Sequence, residues 1–403
     1  MRRPEELFRR ADELVDEREV LRLSKELIRI PSVTRKEHDI SKTIFRKLDK
    51  WGLRPKSVPV EGYGPTVTVE IGTRNAPAVV FNGHMDTVEV MSGWRHDPFG
   101  AKIENGLMYG LGSLDMKCGL ASMMLAFRAL SECGLPESSR VVFQAVTGEE
   151  DTSAGTRTLI SIGAFKGAKE VIVGEGFGGL KAITNGRRGG SYIDINVKGK
   201  AAHGSTPEDG ISAISDASRI VRALNDMKMR QAKGPKADDF EPLRESQTVL
   251  RIEGGTHTLT VPEDCYLRVI RCTIPGKDED VERQIRRTIA SLRLKSRVSV
   301  NLIKGDADLF QPYVTSANSR LVRTASKWAE RMTGSRPMLV IGKSEADDNR
   351  IAHDLGLPVI CIGPGESGQL CRYHQCEEAI STGQLGPVTR VYFATAMELC
   401  QRG

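Results

Sequence analysis

Short apolar runs that end in an acid or a histidine constrain what this chain can fold into. AVVFNG (78–83) leads straight into His84-Met85-Asp86, RVVFQAVTG (140–148) into Glu149-Glu150-Asp151, and EVIVG (170–174) into Glu175. Runs of that length, rich in β-branched residues, predict buried strands. Amphipathic helix-like stretches lie between and around them, such as EREVLRLSKELIRI (17–30), which Pro31 closes, and LASMMLAFRALSECG (120–134). Strands alternating with helices predict an α/β layer fold, in which ligand-binding groups emerge at the carboxyl ends of the strands.

The pattern changes after Gly189 and Gly190. YIDINVKG, GISAISDASRIVRALNDM, TVLRIEGG, CYLRVIRCTI, DEDVERQIRRTIASLRL and RVSVNLIK follow in turn. They predict four strands and two helices in an α+β unit. Beyond about residue 305 the first style returns, with a helix over SANSRLVRTASKWAERMTG and a buried strand in LPVICIG. A chain of 403 residues exceeds what one core usually fills. The expected organisation is therefore a domain built from 1–188 and 305–403, interrupted by an inserted domain over 189–304.

Other classes are excluded on composition. No run approaches the roughly 18 apolar residues of a membrane helix. The segment MRRPEELFRRADELVDE lacks the apolar core of a secretory signal, and the eight cysteines form no CxxC pair or regular framework, so reduced thiols and a cytoplasmic location are expected. The net charge of +6 is scattered among many acids with few aromatics beside it, which argues against a nucleic-acid surface and suits a small anionic substrate.

The strand-end residues carry the chemistry. In His84-Met85-Asp86 the Asp can hold one imidazole nitrogen and leave the other for a metal; the same tripeptide also reads as a capped strand end with a surface histidine. Asp115, in the glycine-rich YGLGSLDMKCG, suits a bridging ligand or plain turn chemistry. Glu149-Glu150-Asp151 is either a metal ligand beside a proton carrier or an acidic helix start. Glu175 and His374 add a carboxylate and an imidazole, with Glu378 placed to support the latter. Three carboxylates and two histidines from separate strand ends suffice for two Zn²⁺ ions sharing an Asp. His38, His96 and His353 read as surface or packing residues, His257 is ambiguous, and His203 lies in the inserted segment between a strand and a helix.

Read together, these motifs resemble the dinuclear zinc deacylases and exopeptidases that include acetylornithine deacetylase, succinyl-diaminopimelate desuccinylase, aminoacylase and carboxypeptidase G. The resemblance runs through LIRIPSVT (27–34), GHMDTV (83–88), DPFGAKIENGLMYGLGSLDMKCG (97–119), TGEED (147–151), VGEG (173–176), GRRGGSYIDINVKGKAAHGSTPEDG (186–210) and GPG followed by His374 (363–374). It implies a zinc-exopeptidase-like three-layer α/β/α catalytic domain with an inserted ferredoxin-like lid and dimerisation domain. It also implies two Zn²⁺ per subunit, with Co²⁺ or Mn²⁺ as substitutes: His84 and Glu175 on one ion, Glu150 and His374 on the other, and Asp115 bridging both.

By the same resemblance Asp86 orients His84, Glu149 is the general base, and His203 reaches a partner subunit's site in a homodimer to stabilise an oxyanion. Arg271 holds a substrate carboxylate. The implied substrate is a small carboxylate-bearing amide such as an N-acyl amino acid in amino-acid biosynthesis; a di- or tripeptide, or a carboxypeptidase substrate, at the same site is the alternative, and a non-catalytic member of the family is a third reading. Leu259 ahead of Pro262, Cys118 after the DMK triplet, and KSEADDNR depart from the usual pattern and leave the substrate open.

Overall fold

The strand Ala78–His84 is buried along its whole length, and its neighbours in sequence point to opposite sides. Phe81 packs against Tyr392 of the helix Leu385–Cys400, with ring centroids 5.8 Å apart. Asn82 faces the other way, where its Nδ2 donates to Thr156 Oγ1 (3.4 Å) in the helix Ala154–Ser161 and to Gln144 Oε1 (3.1 Å). Helices therefore cover both faces of the sheet, giving three layers. The computed structural model describes residues 4–231, 243–255, 258–276, 280–303, 309–366 and 371–401, and His257 lies outside the described residues.

Strands are numbered in chain order. The first eight are β1 (Lys56–Val58), β2 (Thr66–Gly72), β3 (Ala78–His84), β4 (Lys102–Glu104), β5 (Leu107–Tyr109), β6 (Arg140–Val146), β7 (Ala168–Val173) and β8 (Ala182–Arg187). β9 (Gly189–Lys198), β10 (Ser246–Gly254), β11 (Asp264–Thr273), β12 (Arg297–Leu302) and β13 (Leu309–Phe310) come next, then β14 (Tyr313–Val314), β15 (Met338–Gly342), β16 (Val359–Cys361) and β17 (Ala379–Ser381).

The chain divides into two compact units: Arg187–Tyr313 with Lys343–Glu345, and the remainder. In the larger unit the main sheet runs β1-β2-β6-β3-β7-β16-β8-β14. Its centre is parallel, β3 pairing with β6 and β7, and β16 with β7. Against it packs the helix Cys118–Cys133, apolar and buried almost throughout, because it lies between the sheet and further helices rather than at the surface. The helix enters the sheet closely at Gly119, where a Cβ would stand 2.1 Å from the carbonyl oxygen of Gly174, so a side chain there would push away the end of β7.

The smaller unit has the sheet order β10-β11-β9-β12, antiparallel throughout. Helices Ala213–Asn225 and Val281–Ser291 bury Ala217, Ile220, Leu224, Ile285 and Ile289 with Ile193, Ile195, Leu267 and Val269 of the sheet. Ser212 and Asp280 cap the two helices. The chain order β-α-β-β-α-β makes this unit ferredoxin-like. Among the described residues no helix is long and apolar enough to cross a membrane.

Candidate metal centre

The parallel strands β6, β3, β7 and β16 lie side by side, and each delivers a functional segment at its carboxyl end. His84 is the last residue of β3. β6 runs through Thr147 into Gly148, whose φ of +67° turns the chain into the short helix Glu149–Thr152. β7 is followed by Gly174 and Glu175, and β16 opens into the loop that leads to His374. Asp115 arrives from the turn Ser113–Lys117 that precedes the buried helix.

These side chains converge on Asp115. Its Oδ1 lies 3.0 Å from His84 Nε2, and its Oδ2 lies 3.4 Å from His374 Nε2. His374 Nε2 is also 2.8 Å from Glu150 Oε2. Two groups of ligand atoms, each lying within 4.8 Å of one another, result: His84 with Glu149 and Glu150, and Asp115 with Glu150 and His374. Glu175 belongs to neither group, but it is buried and its charge reaches Glu149. Each histidine thus meets a different oxygen of one carboxylate, an arrangement suited to bridging two cations.

Asp86 meets His84 mainly through its main chain. The main-chain carbonyl of Asp86 meets His84 Nδ1 at 3.0 Å, while the carboxylate Oδ1 stands off at 3.7 Å. That carboxylate instead accepts the backbone N–H groups of Glu149 (Oδ1, 3.2 Å) and Glu150 (Oδ2, 3.2 Å), and the hydroxyl of Thr34 (3.0 Å). The reason is the orphaned amides of a helix start, which a buried acceptor satisfies. Asp86 therefore holds the imidazole through its backbone and the acidic pair through its side chain.

Glu378 plays the matching part for Asp115. Fully buried, it accepts backbone N–H groups from Gly112 (3.0 Å), Leu114 (2.6 Å) and Asp115 (3.0 Å), fixing the turn that presents the bridging carboxylate. Glu378→Ala is expected to strand those buried donors at about 1–3 kcal/mol each. Denaturant unfolding should show a loss on the order of 3 kcal/mol or more, and a change within 0.5 kcal/mol, roughly what a surface substitution gives, would contradict this role. Tyr373 and Phe177 stack at 4.9 Å with planes 3° apart, which ties the His374 loop to the Glu175 loop.

The electrostatics show a site short of positive charge. Burial disfavours an imidazolium at His84, yet the Asp115 hydrogen bond and the charges of Glu149, Asp115 and Asp86 prevail and hold it well above the ordinary histidine range. Hydrogen bonds to Asp115 and Glu150 push His374 up to about 11. Burial and the Asp115 charge push Glu150 up to about 7. Burial raises Glu149 strongly as well, with Glu150, Asp347 and Glu175 adding to it against His84. Carboxylates that hold protons and histidines that will not release them mark a pocket whose donors call for cations.

Two predicted site residues lie in the smaller unit. His203 is exposed, and its Nδ1 accepts the backbone N–H of Ser205 at 3.2 Å, which leaves the proton of a neutral ring on Nε2. Arg271 is buried, and its Nη2 donates to Glu245 Oε2 at 2.8 Å. Arg230 donates to the other oxygen of Glu245 from Nε (2.9 Å) and Nη2 (2.6 Å). Nothing in the sequence singled out Glu245, because a carboxylate just ahead of a strand has no motif around it. Asp86 and Glu378 as amide acceptors were equally hidden, although the position of Glu378 close after His374 was a usable signal.

A profile of peptidase family M20/M25/M40 matches residues 80–398, most of the chain. The chain belongs to that family. It is accordingly a hydrolase of the metallopeptidase kind. A succinyl-diaminopimelate desuccinylase of Hydrogenovibrio crunogenus is 28% identical over 393 residues, covering 94% of this chain and 99% of the relative. Among solved structures, aminopeptidase PepT from Bacillus cereus has a TM-score of 0.76 at 22% identity, covering 96% of this chain and 99% of its own. A dinuclear metal binding peptidase of the M20 family from Bacillus subtilis has a TM-score of 0.73 at 15% identity, with 96% and 98% covered. At those identities the structures show a shared fold for this M20 chain.

Proposed function

We propose that the chain hydrolyses the amide bond of an N-acyl amino acid, as acetylornithine deacetylase and succinyl-diaminopimelate desuccinylase do, using two Zn²⁺ ions per subunit. The observation that carries this is Asp115, whose two oxygens face two different histidines at 3.0 and 3.4 Å. His84, Glu175 and Asp115 would hold one ion, and Glu150, His374 and Asp115 the other. Imidazole nitrogen with carboxylate oxygen is a donor set that suits Zn²⁺ and also accepts Co²⁺ or Mn²⁺. Bound there, the ions supply Lewis acidity for the amide carbonyl and an acidified water.

The rest belongs to the protein. Glu149 takes the proton of the attacking water and returns it to the leaving nitrogen. Asp86 keeps that base and Glu150 in register by holding their amides. His203 donates its Nε2–H to the oxyanion that forms at the carbonyl. The proposal includes a cytoplasmic homodimer joined through 189–304, with His203 acting across the interface. In support, β10 is an edge strand whose Leu250 and Ile252 are 52% and 53% exposed. A carboxylate-binding role for Arg271 requires a substrate carboxylate to share its guanidinium with Glu245.

The test is amine release from N-acetyl, N-succinyl and dipeptide substrates by metal-quantified protein, with and without added Zn²⁺ or Co²⁺. Metal-dependent release from an N-acyl amino acid supports the proposal, and release from free dipeptides alone replaces it with a peptidase. His203→Ala is expected to lower kcat by about 100-fold, as for loss of an oxyanion donor, while metal content and dimer mass stay the same. An unchanged kcat removes His203 from the mechanism.

A further inference from the structure

The acidic pair rides on a single helical turn, Glu149–Thr152, closed by the amides of Thr152 and Ala154 on the carbonyl of Gly148 at 3.1 and 3.2 Å. One turn is not stable by itself, and both residues that flank it are left-handed, Gly148 at φ +67° and Ser153 at φ +55°. Asp86 holds the leading amides of the turn. Tyr63 holds its far side. The Tyr63 hydroxyl donates to Asp151 Oδ2 at 2.8 Å and, its one proton spent there, accepts from Thr152 Oγ1 at 3.1 Å. The ring lies against Gly148, where a Cβ would stand 2.6 Å from Cε1.

Arg35 completes the clamp. Its Nη2 (2.7 Å) and Nε (3.2 Å) donate to the same Asp151 oxygen, and its guanidinium sits 4.9 Å from the centre of the Tyr63 ring. Glu37, fully buried, fixes both arms: it takes the N–H of Arg35 on Oε1 (2.7 Å) and that of Gly64, next to Tyr63, on Oε2 (2.8 Å). Of the two glutamates on the turn, Glu150 is held by His374 at 2.8 Å, whereas among the described residues no hydrogen bond reaches the Glu149 side chain. The place of Glu149 is therefore set by the backbone beneath it. We infer that Tyr63 is a positioning residue for Glu149, acting through Asp151 and Thr152, a role that rests on the reading of Glu149 as the general base.

Tyr63→Phe in the zinc-loaded full chain tests this, because it keeps the ring over Gly148 and removes only the hydroxyl. Hydrogen exchange read by mass spectrometry needs no substrate. Exchange in peptides spanning 147–153 should quicken by about ten-fold, as loss of one hydrogen bond to a charged group allows, with peptides spanning 78–84 unchanged. Unchanged exchange at 147–153 would overturn the assignment. On whichever amide the wild-type chain cleaves, kcat should fall by about ten-fold, short of the roughly 100-fold that a 1 Å misplacement costs, with KM and zinc content unchanged. Zinc lost from Tyr63→Phe would move its action to Glu150 and overturn the assignment. In Glu149→Gln, removing the Tyr63 hydroxyl as well should slow hydrolysis no further; an equal second drop would show that the hydroxyl acts apart from Glu149. Zinc lost from Glu149→Gln alone would sink the general-base reading, and this role with it.

Discussion

Glu149→Gln is expected to keep its full complement of metal and to lose about 10³–10⁴-fold in kcat, the upper range for removing a general base. Glu149 lies in one close group with His84 and Glu150, so geometry alone allows it to be a ligand. Its neighbour Glu150 is the one that meets His374, at 2.8 Å, while Glu149 contacts neither histidine in a comparable ion pair among the described residues. Two adjacent residues of a helical turn point in different directions, so one can coordinate while the other stays mobile. Burial and like charges push Glu149 well above the ordinary carboxylate range in the metal-free pocket. Divalent charge alongside reverses that balance and leaves a carboxylate able to accept a proton. Metal quantification beside kcat decides the matter: loss of metal from Glu149→Gln makes it a ligand, and loss of rate alone makes it the base.

The metal-free and metal-loaded proteins are expected to respond to pH with opposite signs. In the metal-free site Glu150 is raised from 4.5 to about 7, Glu378 from 4.5 to about 8, and His374 from 6.5 to about 11. Each folded group binds its proton more tightly than the unfolded chain does. Stability from these groups is present in full below their unfolded values and is lost as pH rises towards the folded ones. Lys117 opposes this only from about 7 upwards, because burial lowers it from 10.5 to about 7. The window is therefore pH 4.5 to 7, where chelator-treated protein should lose on the order of 3 kcal/mol from each of Glu150 and Glu378. Protein with bound metal should gain over the same range, since ligands must shed protons to coordinate. Urea unfolding at several pH values, with chelator and with Zn²⁺, checks both slopes; parallel slopes would show that no cation engages these groups.

Much of the architecture was legible because periodicity reports burial. The run AVVFNG is apolar at every position since β3 is covered on both faces, and the four-strand, two-helix order of the smaller unit follows from alternation and capping residues such as Ser212 and Asp280. The strand-end histidine and acids were legible for the same reason, as polar residues directly after strands with no exposed face. What stayed hidden were contacts made by one side chain with another segment's backbone. Asp86 reads as a partner of His84 because the two are close in sequence, yet its carboxylate serves amides 63 and 64 positions away. Glu378 reaches back more than 260 positions to three amides, and Arg271 finds Glu245 across a strand pair. Sequence spacing carries no record of such reach.

The central strands gather their groups from widely separated stretches of chain, and this sets an order of events during synthesis. By the time residue 175 has been made, His84, Asp115, Glu149, Glu150 and Glu175 exist, but His374 does not. Between them the ribosome must deliver the whole unit Arg187–Tyr313, which has its own core and can fold while the rest waits. The pocket of Asp115, Glu150 and His374 therefore closes late, when Glu378, made just after His374, can also lock the turn that carries Asp115. A chain halted before residue 374 carries most of the donors yet lacks that pocket.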